Sequence, residues 1–361
     1  MVKLAVESLQ LSFFRSHKSL MLDLDPRPVV LHGPNGAGKT NILEAVSLLS
    51  PGRGLRRAKG DQLARQPDNI GWKITSQVSI GETHHLIETG SQGGAARTVK
   101  IDGKSKPQLE LGKLAPVVWL VPAMDRLWTE AAEGRRRFLD RLTLNFFPDH
   151  GKHVLEYEKA MRDRNRLLKD GISDPHWYDA LEARMSLAGE QITLQRGETL
   201  RRIAGGQSEA SEAFPIAELA LVGPEGDNPL ATAPHVRAAL QDGRSRDLLA
   251  GRTLSGPHRD DLSAIFSSKG VSARDCSTGE QKALLISIIL AVVRSLKTER
   301  AAAPLVLLDE VSAHLDRNRQ NALYDEICSL GTQAWMTGTE AQLFDGLSDR
   351  AQFIAVEEMP D

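Results

Sequence analysis

Apolar and polar positions alternate through "LAVESLQLSFF" near the amino terminus, the period of a strand with one face on a core and the other in water. Between 38 and 49 the period changes. Ile42, Ala45, Val46 and Leu49 fall at i, i+3, i+4 and i+7, which predicts a helix with one buried face, and "SPG" at 50–52 ends it. Up to about 125 the remaining pattern is of short, β-branched strands punctuated by Gly and Pro. From about 127 to 205 it turns helical. "EGRRRFLDRLTLNFF", "HVLEYEKAMRDRNRLLKD" and "WYDALEARMSLAGEQITLQRGETLRRI" are rich in Glu, Arg, Leu and Ala and lack interior proline. The stretch 205–251, with "GGQSEASEAFP", "GPEGDNP" and "QDGRSRD", is expected to be mainly loop with one or two short elements.

Beyond 252 strands and helices return: "LSAIF", an apolar helix after Glu280, the strand "PLVLLDE", a helix near 318–329, and the strands "AWMTG" and "FIAVEE". The outer segments therefore read as two halves of one α/β domain. Residues 1–126 and 252–361 are expected to form a discontinuous head, with 127–251 as an inserted, mainly helical lobe. The longest apolar run, "LLISIILAVV" (284–293), falls far short of the ~20 residues that span a bilayer, and the alternating amino terminus does not read as a signal peptide. No membrane anchor is expected. Cys276 and Cys328 have no partner spacing, so neither a disulfide framework nor a zinc site is indicated, and a cytoplasmic location is expected.

The candidate chemistry sits at the joins of this pattern. "VVLHGPNGAGKT" places Gly33, Pro34, Asn35, Gly36, Ala37, Gly38, Lys39 and Thr40 between a strand and the 38–49 helix, the context that gives a phosphate-binding P-loop its meaning. Glycines let backbone N–H groups curl around ATP phosphates, the helix start favours their charge, Lys39 adds a cation, and the Thr40 hydroxyl suits Mg2+. "LVLLDE" supplies the acidic half. Asp309 is placed to hold Mg2+, and Glu310 to orient and deprotonate an attacking water, so the pair of motifs points to an ATPase.

Ser277-x-x-Glu280 is a capping box at the head of the apolar helix, and the same helix start could engage a phosphate presented from outside. "STGEQ" before the acidic strand and "SAHLD" just after it resemble the signature and D-loop of ABC-type ATPases. That resemblance implies an ABC-type head in which Ser277 and Gly279, with Asp316 nearby, act in trans on the ATP of a second subunit. Cys276, Thr278 and Glu280 depart from the usual Leu-Ser-Gly-Gly-Gln. The stretch between Lys39 and Ser277 is longer than in transporter ATPases and shorter than the coiled coil of SMC proteins.

"SFFRSHKSL", "LLSPGRGLRR", "GRRRFLDRL" and "SGPHRDDL" narrow the resemblance to the RecF family of bacterial recombination mediators, over essentially the whole chain. It implies that Arg15 reaches the ATP phosphates, and that the protein forms an ATP-dependent homodimer. It also implies binding to double-stranded DNA near single-strand gaps, and action with RecR and RecO in delivering RecA. No glutamine stands at the Q-loop position in "WLVPAMDRL", where Asp125 is the candidate substitute. Thr337 occupies the place of the transporter switch histidine, so slow hydrolysis is expected.

Charge bears on the DNA contact alone. The formal net charge is -2, so the whole-protein field does not attract nucleic acid and a local patch must. Arg53, Arg56, Arg57 and Lys59 form one cluster and Arg135 and Arg136 another, both candidates for phosphate contact. Aromatic residues make up 5%, too few for stacking platforms along a single strand. An ABC transporter subunit is the competing reading; the long insertion, Thr337 and "FFRSH" weigh against it.

Overall fold

The computed structural model describes residues 3–68, 70–208, 213–300 and 302–357, so the middle of "GGQSEASEAFP" and the last residue of "FIAVEE" lie outside the described residues. By contacts the chain divides into two units, 1–125 with 205–215 and 277–361, and 126–204 with 216–276.

In chain order the first unit begins with β1 (Leu4–Phe14), β2 (His17–Asp23), β3 (Val29–His32), α1 (Lys39–Ser47), β4 (Trp72–Ile80), β5 (Thr83–Ser91), β6 (Thr98–Ile101), β7 (Lys104–Ser105), α2 (Glu110–Leu114) and β8 (Val117–Leu120). After the second unit it resumes with α8 (Thr278–Arg300), β12 (Leu305–Leu308), α9 (Arg317–Leu330), β13 (Ala334–Gly338) and β14 (Gln352–Ala355). Two sheets result: an antiparallel one in the order β2-β1-β4-β5-β6-β7, and a parallel one in the order β14-β3-β13-β12-β8.

The strand patterns explain the difference. β1 and β4 alternate, and their buried members Leu9, Leu11, Ile74 and Val78 join the core while Gln10, Lys73 and Gln77 face solvent. β8, β12 and β13 are buried at every residue, as a parallel strand covered on both faces must be. Helix α8 is buried from Gln281 to Arg294, so it lacks the single apolar stripe of a surface helix and lies instead within the core. Gln333, fully buried, joins the two sheets: its amide donates to the carbonyls of Val6 (2.9 Å) and Asp25 (2.8 Å) and accepts from the Val6 N–H (2.8 Å).

The second unit holds α3 (Ala132–Phe146), α4 (His150–Lys169), most of α5 (Pro175–Ser208), β9 (Ala217–Val222), α6 (Ala233–Asp242), α7 (Arg244–Ala250), β10 (Asp261–Phe266) and β11 (Val271–Ser272). The stretch 205–251, expected to be mainly loop, thus carries β9, α6 and α7. The boundary also differs from the expected 252. Strand β10 pairs antiparallel with β9 and β11 and packs on α3, so 252–276 belongs with the lobe, and the head resumes at Ser277. The end of α5 belongs instead with the head. Gly206 packs so closely on α8 that an added Cβ would lie 2.3 Å from the Ala291 carbonyl oxygen, and the Gly206 carbonyl accepts from Arg294 (3.1 Å). Such pairings join residues distant in sequence and leave no local periodicity to read.

One arginine organises the helices of the second unit. Arg164 on α4 is fully buried and donates to Glu182 on α5 (3.1 Å), Asp247 on α7 (2.6 Å), the Thr253 hydroxyl (2.9 Å) and the Leu240 carbonyl (3.1 Å). "GPHRDDL" is a second buried joint: Arg196 forks onto Asp140 (2.7 and 2.9 Å) and donates to the Pro257 carbonyl (2.8 Å). Burial pushes His258 down to about 4, so at neutral pH its Nδ1 accepts from the Tyr157 hydroxyl (2.8 Å) and its Nε2–H donates to the Thr253 carbonyl (3.1 Å). Replacing Arg164 with Met would leave the buried Asp247 without its guanidinium partner, while Glu182 keeps Arg244, and the expected loss is about 3–5 kcal/mol of unfolding free energy. Urea denaturation of the two chains measures it.

Candidate functional site

The carboxyl ends of β3, β12 and β13 lie side by side, since β13 pairs with both neighbours in parallel register. Ligands of open α/β sheets bind at this edge, and the three strand ends deliver the P-loop, Asp309 and Thr337 to it.

The P-loop is shaped by close approach. Gly33 has φ 148°, and a Cβ there would sit 2.2 Å from the Val356 carbonyl oxygen; Gly38 has φ 95° and lies under Ser16 and His17, which a Cβ would meet at 2.7 Å. Neither position accepts a side chain. His17, buried and pushed below its usual pKa by burial, keeps its Nε2 3.2 Å from the Gly38 carbonyl oxygen, which requires the Nε2–H tautomer to donate. Lys39 donates to the carbonyls of Gly33 and Pro34, both at 2.7 Å, so its ammonium lies in the curl of the loop. Burial draws its pKa down, while the Glu310 and Asp309 carboxylates pull it up.

Asp309 is held from both sides. One of its oxygens accepts from the Thr40 hydroxyl (3.0 Å) and from the Thr337 hydroxyl (2.8 Å), and the Thr337 oxygen accepts in turn from the Glu310 backbone N–H (2.9 Å). A single line of hydrogen bonds therefore runs from the P-loop helix through the acidic strand to the end of β13 and back to Glu310. Glu310, just past the end of β12, has φ 51°, a left-handed backbone costing an ordinary residue about 1–3 kcal/mol. Its side chain is exposed and lines a cavity of about 200 Å³ with Gly36, Lys39, Thr40, Asn41 and Arg56. Two fixed oxygens, the Thr40 hydroxyl and the Asp309 carboxylate, suit a hard cation such as Mg2+.

Several of the expected site residues have partners within the protein. Arg15, with φ 53°, forks onto the fully buried Glu44 of α1 (2.8 and 2.8 Å) and donates to the Gln62 carbonyl (2.9 Å). Arg56, expected to meet DNA, lines the P-loop cavity and donates to Asn41 (2.7 Å). Arg135 forks onto Asp261 at 2.8 Å and donates to the carbonyls of Leu127, Trp128 and Glu130. Arg136 donates to the Asp260 carbonyl (2.7 Å), while Arg53, Arg57 and Lys59 are exposed.

Two residues that sequence reasoning passed over complete the site. Lys282, buried in the first turns of α8, lies 3.9 Å from Asp125; burial lowers its pKa, and the charges of Asp125 and Glu310 raise it. A lysine opening an otherwise apolar helix was the signal. Arg97, without a carboxylate partner among the described contacts, donates to Thr89 (2.8 Å) and to the carbonyls of Leu48 and Gly52, fixing the turn after α1 that carries Arg53 and Arg56; burial brings its pKa to about 10. No local pattern marks it.

At the head of α8 the capping box forms. The Ser277 N–H and hydroxyl both donate to Glu280 (2.8 Å each), and the Glu280 N–H donates to the Ser277 oxygen (3.4 Å). Asp316 caps α9 by accepting from the Arg319 N–H (2.9 Å).

A parallel sheet with a P-loop between β3 and α1, an acidic pair at the end of β12 and a capped α8 make the first unit an ABC-type ATPase head. Residues 8–126 match the AAA domain family. The chain is 45% identical to the DNA replication and repair protein RecF of Rhizobium meliloti over 98% of its length and 97% of that protein. It is 44% identical to that of Mesorhizobium japonicum over 98% and 96%. It belongs to the RecF family of DNA replication and repair proteins. The fold is similar to that of the recombination mediator RecF–ATPγS complex of the RecFOR pathway (TM-score 0.84, 22% identity, 99% of this chain and 97% of that one). It is more distantly similar to a Pyrococcus furiosus Smc head domain bound to the C-terminal domain of ScpA (TM-score 0.55, 17% identity, 99% and 94%). Among the described residues no helix is long and apolar enough to cross a membrane.

The Thr337 hydroxyl is the keystone of the hydrogen-bonded line. Thr337→Val keeps the volume but leaves the Glu310 N–H unpaired, a loss of about 1–3 kcal/mol of local order. We expect single-turnover ATP hydrolysis to fall about tenfold or more while the Kd for ATP, from fluorescence titration, changes less than about threefold.

Proposed function

We propose that the protein is an ATP-switched DNA clamp of recombinational repair. ATP binding joins two copies head to head on duplex DNA near a single-strand gap, the dimer helps RecR and RecO load RecA, and slow hydrolysis, stimulated by DNA, releases it. The observation that carries this reading is the Thr40–Asp309–Thr337–Glu310 line at the mouth of the P-loop. It sets an oxygen pair suited to a cation beside an exposed carboxylate, Glu310, which lines the same cavity as Lys39 and Thr40.

In this reading the P-loop amides of 33–38 and Lys39 hold the phosphates, and Arg56 contributes a further cation from the cavity wall. Thr40 and Asp309 would hold Mg2+, which when bound supplies charge neutralisation at the β- and γ-phosphates. Glu310 orients the attacking water and takes its proton. Arg15 acts through Glu44, anchoring α1 rather than touching phosphate. Thr337 can donate one hydrogen bond and carries no titratable ring, which accords with a switch whose hydrolysis is slow.

Dimerisation through the signature is supported by Gly279. It stands in the first turn of α8, and among the described residues nothing lies within 4 Å of where its Cβ would be, so no packing among them asks for a glycine there. A close approach from outside does: the phosphate of a second subunit's ATP, with Ser277 beside it and Asp316 near the contact. For DNA, Arg53, Arg57 and Lys59 on the turn fixed by Arg97, with Arg136 on the lobe, remain the phosphate-contact candidates. Their place next to Arg56 would let nucleotide state and DNA contact influence one another.

Glu310→Gln is expected to bind ATP and accumulate as a dimer in sedimentation velocity, whereas Lys39→Met stays monomeric and inactive at saturating ATP. A monomeric Glu310→Gln chain with ATP bound overturns the sandwich. Paired substitution of Arg53 and Lys59 with Glu should weaken duplex binding and lower the slope of log K against log salt by about 0.9 for each phosphate no longer engaged. Fluorescence anisotropy at several salt concentrations reads this directly.

A further inference from the structure

The connection from α7 to β10 in the second unit, "RTLSGPHRD" (252–260), is tied down more firmly than a surface loop ordinarily is. The Thr253 hydroxyl accepts from Arg164 (2.9 Å) and donates to Asn165 (2.8 Å). Gly256 has φ 126°, and a Cβ there would lie 2.3 Å from the Tyr157 hydroxyl oxygen, so the turn admits glycine alone. The Arg259 N–H closes that turn on the Gly256 carbonyl (2.9 Å). His258 points inward, and its bonds to Tyr157 and to the Thr253 carbonyl bring the two ends of the loop together.

All this order leaves two side chains outside. Between 252 and 260 the exposed residues are Arg252 and Arg259, and among the described residues neither guanidinium has a hydrogen bond or an ion pair. A third arginine reaches the loop from α3: Arg136, half-buried, donates to the carbonyl of Asp260 (2.7 Å), the residue next to Arg259. Burial lowers the Arg136 pKa, and the positive charges of Arg196 and Arg259 are among the charges that act on it. The acids close by are engaged elsewhere. Asp261 is forked by Arg135 and Asp140 by Arg196, while the Asp260 carboxylate is buried, 3.9 Å from Arg196. Positive charge is therefore concentrated on an ordered loop without an acid spent on it, which suits an anion that arrives from outside.

We infer that Arg252 and Arg259, with Arg136 beside them, form a phosphate-binding station on the second unit that holds the backbone of duplex DNA. The inference rests on the DNA contact proposed above and gives it a further place, on a loop that carries none of the residues considered for it there. A guanidinium fork matches two phosphate oxygens at once, and a fork carried on an ordered backbone loses less freedom on binding than one on a mobile loop. The exposed side chains of the loop include no aromatic ring and no amide, so the contact positions the duplex and does not read its bases. An acidic protein segment is the other anion that such a loop could meet. Protein contacts are anchored by apolar and aromatic residues at their centre, and both exposed residues of this loop are charged, which favours the nucleic acid.

The test is duplex binding by the full chain with ATP, followed by fluorescence anisotropy at several salt concentrations. Arg252→Gln combined with Arg259→Gln should weaken binding about tenfold or more at fixed salt, and should lower the slope of log K against log salt by about 0.9 for each phosphate released. Arg252→Lys combined with Arg259→Lys keeps both charges and should keep the slope. Both positions face solvent, so circular dichroism and ATP hydrolysis without DNA should match the unsubstituted chain, which separates lost contact from lost fold. A glutamine pair with unchanged affinity and slope overturns the inference; if that pair has instead lost binding to polyglutamate, the loop serves an acidic protein. Where the unsubstituted chain binds duplex and the Arg53 and Lys59 substitutions alone weaken it, this inference falls and the proposed function stands. An unsubstituted chain that binds no duplex at any salt overturns both.

Discussion

The structure depends on one carboxylate placed where strand meets solvent. Asp309 is fixed at the end of a strand buried on both faces by accepting from hydroxyls on two other elements, Thr40 at the start of α1 and Thr337 at the end of β13. Those two bonds only form if β3, β13 and β12 end at the same level, which the parallel register ensures. The level is held in turn by the packing of α1 and α8 on the sheet, α8 through Ile286, Ile289 and Val293 beside Val306 and Leu308, and by Gln333, which joins the parallel sheet to the antiparallel one. A shift of one strand by one residue would turn each side chain to the opposite face and dissolve the site.

Buried and half-buried arginines do much of the remaining positioning, and each has its own partner chemistry. Arg15 neutralises Glu44 under the P-loop helix, Arg97 draws together carbonyls at the end of that helix, and Arg164 gathers four elements of the lobe. A planar fork with five donors suits all three tasks, which lysine could not perform. Lysines appear instead where a mobile point charge is wanted, as Lys39 in the loop and Lys282 beside Asp125. The same logic separates arginines that the sequence presents as one basic patch. Arg53 and Arg57 face solvent, Arg56 faces the nucleotide cavity, and Arg135 is consumed by Asp261 and three carbonyls.

The fold follows the sequence pattern most closely where a local period and a fixed motif coincide. The strand, glycine loop and helix around Lys39, the apolar strand ending in Asp309, and the capping box of Ser277 and Glu280 appear in the structure as the residues predict, because short-range geometry alone requires those residue types. The correspondence is weaker over 205–276. There the pairing of β10 with β9, across the intervening α6 and α7, draws residues expected in the head into the lobe. The partners of Arg15 and Arg56 were not legible for a similar reason: both meet Glu44, whose place beside them is a matter of fold and not of sequence.

The sequence by itself determined the α/β class, the phosphate loop and its acidic partner, and the family, since each is written in contiguous residues whose chemistry admits few substitutes. The tertiary structure alone decided which charges are spent inside the protein and which are left to act. A guanidinium reads the same in any sequence, but whether it meets a carboxylate, a carbonyl, a cavity or water is fixed by elements brought together from far apart along the chain.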